Sequence, residues 1–157
     1  MWFGQRKRSL VGAGALLAIT AAAAAIGTPA PVLAKRTPCG DHTLRGSYIF
    51  AASGFNIAGG VAQPKAIIEA LEFNGDGTLT VPAVTVSING AVTVGAPGSG
   101  VYTLDAECRG TLTFTPGPSF SLFTEAGGKE AWMIQTNQGT VFQGTVTKLS
   151  LPAGNDE

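Results

Sequence analysis

The chain has 157 residues, ten Lys plus Arg against ten Asp plus Glu, one His, two Cys and 22 Gly, and only 13% of it is charged, about half the usual share. A length near 150 allows one ordinary domain, and one His with two Cys falls short of a tetrahedral zinc site without carboxylate help. Neutrality offers no basic footprint for nucleic acid, while 45% apolar residues exclude wholesale disorder.

Arg6, Lys7 and Arg8 form a compact positive start, and Leu10 to Ile26 follows without a charge. Gly27, Pro29 and Pro31 end the apolar run, and Val32-Leu33-Ala34 places small residues at the −3 and −1 positions of a cleavage site. That order describes a cleavable secretory signal peptide over residues 1–34. A membrane anchor is the competing reading, but the run is shorter than the ~20 residues a spanning helix needs. Removing the leader leaves 123 residues with seven basic and ten acidic groups, a net charge of −3. The expected product is exported, periplasmic or extracellular.

Residues 35–44 read as a lead-in, and both cysteines, Cys39 and Cys108, lie in the exported part. In an oxidising compartment two cysteines of a small domain pair. Such a bridge closes a loop of about 70 residues, which loop entropy values at roughly 4 kcal/mol. His42, the only imidazole, lies in this lead-in beside Asp41 and reads as solvated. Without it no Ser-His-Asp or Cys-His machinery can be assembled.

From Arg45 on, the dominant period is two. The predicted strands, in chain order, are Gly46–Phe55, Ala66–Phe73, Thr78–Ile88, Ala91–Val94, Val101–Leu104, Arg109–Thr115, Phe120–Glu125, Glu130–Thr136 and Thr140–Leu149. Asn74-Gly75-Asp76-Gly77 and Asn89-Gly90 are strong hairpin turns, and Gly95 to Gly100 reads as a flexible loop. Pro82 predicts an edge, a bulge or a break in the third run. These are about eight short strands in hairpin order, an all-β domain over 45–150 followed by a polar tail, 151–157. A small antiparallel up-and-down barrel is the simplest closure; a two-sheet β-sandwich is the alternative. The outward positions read as Thr and Ser, and the strands are short. A membrane barrel, with its outward apolar band, is therefore not expected, and no stable membrane insertion after cleavage.

The motifs Leu44-Arg45-Gly46-Ser47-Tyr48-Ile49-Phe50, Phe73-Asn74-Gly75-Asp76-Gly77, Gly100-Val101-Tyr102-Thr103 and Cys108-Arg109-Gly110-Thr111-Leu112 resemble a group of small exported bacterial proteins. Those proteins look like relatives of the allene oxide cyclase and dirigent barrels. The resemblance covers nearly all of the mature chain, and its motifs are turn glycines and core aromatics. It implies an eight-stranded antiparallel barrel with an apolar interior; some barrels of that class perform cyclisations, but the motifs specify the fold and not a reaction.

Glu69 is the only candidate catalytic residue. Strand alternation places it on the face of Ile67, Leu71 and Phe73. If that face points inward, desolvation raises its pKa and makes it a usable general acid or base. An open barrel end, or a bulge near Ala70, would instead leave it in solvent. Tyr48, Tyr102, Trp132 and Gln135 are the other candidate pocket residues. Glu72, Asn74 and Asp76 resemble the start of a calcium loop, but the twelfth position is Ala83, where a bidentate acid is required; the hairpin explains the same residues, and no metal or cofactor is assigned. Arg109, on the Thr-rich face, reads as solvated.

Three functions follow. The first is an exported barrel binding a small apolar molecule or a partner surface, with a cavity and no buried ionisable group. The second is a cyclase or isomerase with Glu69 inside the cavity. The third is a structural envelope component whose core is filled by Phe50, Leu112, Phe114, Leu122 and Trp132. The sequence sets no oligomeric state.

Overall fold

Buried and exposed positions alternate along the strands of the computed structural model, which describes residues 38–150. The leader expected over 1–34, the first residues of the lead-in and the tail 151–157 lie outside the described residues. A single 3-10 turn (Asp41–Thr43) precedes nine strands. They are β1 (Arg45–Ala58), β2 (Val61–Asn74), β3 (Thr78–Ile88), β4 (Ala91–Gly95), β5 (Gly98–Leu104), β6 (Arg109–Thr115), β7 (Ser119–Thr124), β8 (Glu130–Gln135) and β9 (Thr140–Lys148).

All pairings are antiparallel, and the order β2-β1-β9-β8-β7-β6-β5-β3-β4 is closed by β2 pairing with β3. β4 pairs only with β3, so it stands outside a closed ring of eight strands. The barrel is therefore established over the sandwich. Three strand boundaries move by three residues or more. β1 and β2 continue to a turn at Gly59-Gly60, both at positive φ, and the loop expected over 95–100 shrinks to Ala96-Pro97 because β5 begins at Gly98.

Pro82 marks where β3 changes partner. Thr78 to Val81 pairs with β5, whereas Val84 to Ile88 pairs with β4. Proline has no N–H for a ladder, which suits the hand-over point. The β2–β3 register also shifts here, between Ala70 and Glu72. Ala70 faces Ala83 and Glu72 faces Thr80, so the extra residue sits in β3. β2 keeps its alternation unbroken.

Inward positions form one apolar core including Tyr48, Phe50, Phe73, Leu112, Leu122 and Val146. One end is sealed. Tyr48, Phe73 and Tyr102 meet edge to face at 5.1 and 5.0 Å. The Tyr102 hydroxyl donates to the carbonyls of Asp41 (2.7 Å) and Leu44 (2.9 Å), and the Tyr48 hydroxyl donates to the Gly128 carbonyl at 2.7 Å. The expected disulfide, Cys39–Cys108, ties the lead-in to this end.

β9 passes β1 very closely at Gly144. A Cβ there would run into the Ala51 carbonyl and the backbone of Ala52. We expect Gly144→Ala to destabilise the domain by about 1–3 kcal/mol through overpacking, read as a lowered urea midpoint; an unchanged midpoint would show that the two strands can separate freely.

The expectation of Thr and Ser outside is only partly met. Phe55, Ile68, Val94, Phe123, Trp132 and Val141 are all exposed, interleaved with Thr85, Thr103, Thr111, Ser121 and Thr145. A short strand with apolar residues on both parities cannot bury both. The interior is apolar, opposite to the polar lumen of a membrane pore. Among the described residues, no helix is long and apolar enough to cross a membrane.

Candidate functional site

The end of the barrel opposite the disulfide holds a cavity of about 380 Å³. Phe50, Phe120 and Phe142 line it from β1, β7 and β9, Ile67 and Glu69 from β2, and Val84 and Val86 from β3. Ala96 to Ser99 and the β6–β7 turn around Pro116 complete the mouth. Edge-to-face rings, Phe50 against Phe120 at 5.7 Å and Phe114 against Phe120 at 5.8 Å, form its floor and wall. An apolar cavity of about 150 Å³ accepts benzene. By proportion this one accommodates about 15 non-hydrogen atoms.

Glu69 points into the cavity and is only 6% exposed. Its register explains why: it lies between Phe50 of β1 and Val84 of β3, both inward residues. Because the bulge falls in β3, it never rotates Glu69 outward. Burial raises the carboxyl pKa from the ordinary 4.5 to about 7, and desolvation is the sole cause. Among the described residues, no donor or cation acts on it. Yet no fully occluded side-chain oxygen among the described residues lacks a partner, so the Glu69 carboxyl faces open cavity space. It is an acid available to a guest.

Lys65 lies four residues earlier on the same face of β2, about 13 Å away along the strand. Its ammonium donates to Gln135 Oε1 at 3.2 Å and sits 4.1 Å over the Phe142 ring. Gly54, its neighbour on β1, has no side chain to block that reach. Burial lowers the Lys65 pKa. The mouth thus carries a cation and the depth an acid, and the two form no ion pair with each other.

The other sequence candidates separate. Gln135 accepts from Lys65, which lines the cavity, but is not itself a lining residue, and its assignment is corrected accordingly. Tyr48 and Tyr102 are buried at the sealed end, where burial raises both phenol pKa values and their hydroxyls are committed to backbone carbonyls. They do not line the cavity, which corrects their assignment as pocket residues. Trp132 is corrected too: β8 turns Ala131 and Met133 inward, leaving Trp132 47% exposed beside Phe123. Lys65, Phe142 and Val84 were missed as lining residues. The parity of Glu69 alone could have found Lys65, and Val84 required the β3 bulge.

Elsewhere, the residues of the calcium-like stretch serve the hairpin. Asp76 Oδ1 accepts from the Thr78 N–H and hydroxyl at 3.0 and 2.7 Å, and Glu72 accepts from Ser47 at 2.6 Å. Arg109 pairs with Asp105 and Glu107 at 3.2 and 3.5 Å on the surface, and His42 is exposed. Comparison with family models, curated proteins and solved structures finds no match for this chain.

Proposed function

We propose that this barrel receives a small, mainly apolar molecule at its open end and that Glu69 exchanges a proton with it. One observation carries the reading: a carboxyl titrating near 7 faces an apolar cavity without a partner among the described residues. A passive receptor has no need of a buried ionisable group, which costs stability. A proton-handling site does, because an acid with a pKa near the working pH is most effective in both directions. A single carboxyl can take a proton from one atom of a bound molecule and return it at another, so the isomerase or cyclase reading fits one acid. Positioning by the walls supplies the remaining assistance. The kinship with cyclase-type barrels and the export of the mature chain belong to the same proposal, the latter supported by the leader pattern and the Cys39–Cys108 bridge.

The test has two arms. Aminoanthracene, a neutral aromatic of suitable size, should brighten on binding, and Val84→Trp should weaken that binding at least tenfold by filling the cavity. Binding unaffected by Val84→Trp would remove the cavity as the site. In the second arm, the protein is incubated in heavy water with an apolar extract of small metabolites. Deuterium should enter a retained molecule with the wild type, and fall at least a hundredfold with Glu69→Gln while probe binding persists. Equal incorporation by the variant would end the proton-transfer role.

A further inference from the structure

Among the described residues, β4 is the one strand with a single partner strand, so its other edge is left open. The two-residue turn at Asn89-Gly90 sets the phase: Ile88–Ala91 and Val86–Thr93 are the hydrogen-bonded pairs. The N–H and C=O groups of Val92 and Val94 therefore point to the unpaired side. Natural proteins protect such an edge with Lys, Pro, a bulge or an inward charge. β4 has none of these, and Gly77 to Leu104 contains no charged residue at all. Val92 and Val94 are 66% and 77% exposed, and Ile68 extends their row across Thr85.

We propose that β4 is an interface between two copies of this chain, joined antiparallel across a two-fold axis at Thr93. The strand is its own complement. With Thr93 opposite Thr93, Val92 of each copy faces Val94 of the other as a hydrogen-bonded pair, and the four valines form one apolar cluster on the outer face. The absence of charge, a defect in an edge exposed to water, removes the like-charge repulsion that would oppose self-pairing. A closed point group results, because a two-fold consumes both edges and leaves none for a third copy. The inference is independent of any ligand.

Sedimentation of the full chain lacking the leader tests it. The wild type should show a monomer–dimer equilibrium. Val92→Lys combined with Val94→Lys places like charges directly opposite one another twice, and should raise the dissociation constant at least tenfold. Both positions are exposed in the single chain, so thermal unfolding read at a concentration low enough to keep the wild type monomeric should stay unchanged. Val92→Glu combined with Val94→Lys places opposite charges in the same two pairs, and should restore the dimer and make it sensitive to salt. A wild type that remains monomeric at about 1 mM, where even a millimolar association is half complete, overturns the proposal. So does unchanged association of the double-lysine variant, which would indicate another surface. Failure of the charge-complementary variant to dimerise overturns the antiparallel register.

Discussion

Folding stability should fall by about 3 kcal/mol between pH 5 and pH 8, and Glu69→Gln should abolish most of that fall. The carboxyl titrates near 7 in the folded chain and near 4.5 when solvated. Between those values the folded form still holds a proton that the unfolded form has released. Rising pH then favours unfolding, at 1.36 kcal/mol for each unit of difference. The contribution is complete below about 4.5 and gone above about 7. Asp76 and Asp105 have lowered pKa values, from hydrogen bonds to Thr78 and from the Arg109 N–H respectively. Their effect has the opposite sign and lies at acidic pH, outside this window. Urea unfolding at pH 5 and pH 8 measures the difference. A flat wild-type profile, or an equal slope in Glu69→Gln, would mean that Glu69 is solvated. The amide variant should match the wild type near pH 5 and exceed it at pH 8, which marks Glu69 as a site held at a cost in stability.

Strand identity was legible in the chain because turn chemistry and a two-residue period agree along most of it. Asn89-Gly90 and Asn74-Gly75-Asp76-Gly77 placed two hairpins correctly, and Glu69 shares the parity of Leu71 and Phe73, so its inward face followed. Barrel depth did not follow. Tyr48 and Glu69 both point inward, yet they occupy opposite ends, and alternation carries no information about position along the barrel axis. Trp132 failed for a different reason. In Glu130-Ala131-Trp132-Met133-Ile134-Gln135 both parities are apolar, and bulk favours the wrong one; the inward parity belongs to Ala131 and Met133, and Trp132 stands opposite Thr145 on the outer face. Pro82 announced an irregularity but not its consequence, a change of partner that leaves β4 outside the ring. That consequence depends on which strands meet, a long-range fact absent from local pattern.

Replacing both Cys39 and Cys108 by Ser should lower stability by about 4 kcal/mol, with the melting temperature down by about 15 °C or more. The bridge spans 69 residues of sequence, and a loop of that length loses roughly this much freedom in the unfolded chain when closed. The local structure magnifies the consequence. Asp41 accepts the Leu104 N–H through its carboxylate at 2.7 Å, its carbonyl accepts the Tyr102 hydroxyl, and Leu44 is fully buried. Without the tether those contacts must hold the lead-in unaided, and each time it frays the Tyr102 hydroxyl is left buried without acceptors. A domain of this size commonly has about 5–15 kcal/mol in total, so the double variant should be marginal at body temperature. Its folded fraction should nevertheless bind aminoanthracene with affinity within about twofold of wild type, because the sealed end and the cavity share no side chain. A loss of less than about 3 °C would show that the aromatic seal holds the lead-in by itself. A parallel loss of probe affinity would show that closure of one end sets the shape of the other. Combined with Glu69→Gln at pH 8, the two effects should add, as distant sites without common partners do, and the triple variant should recover most of the stability that loss of the disulfide removed.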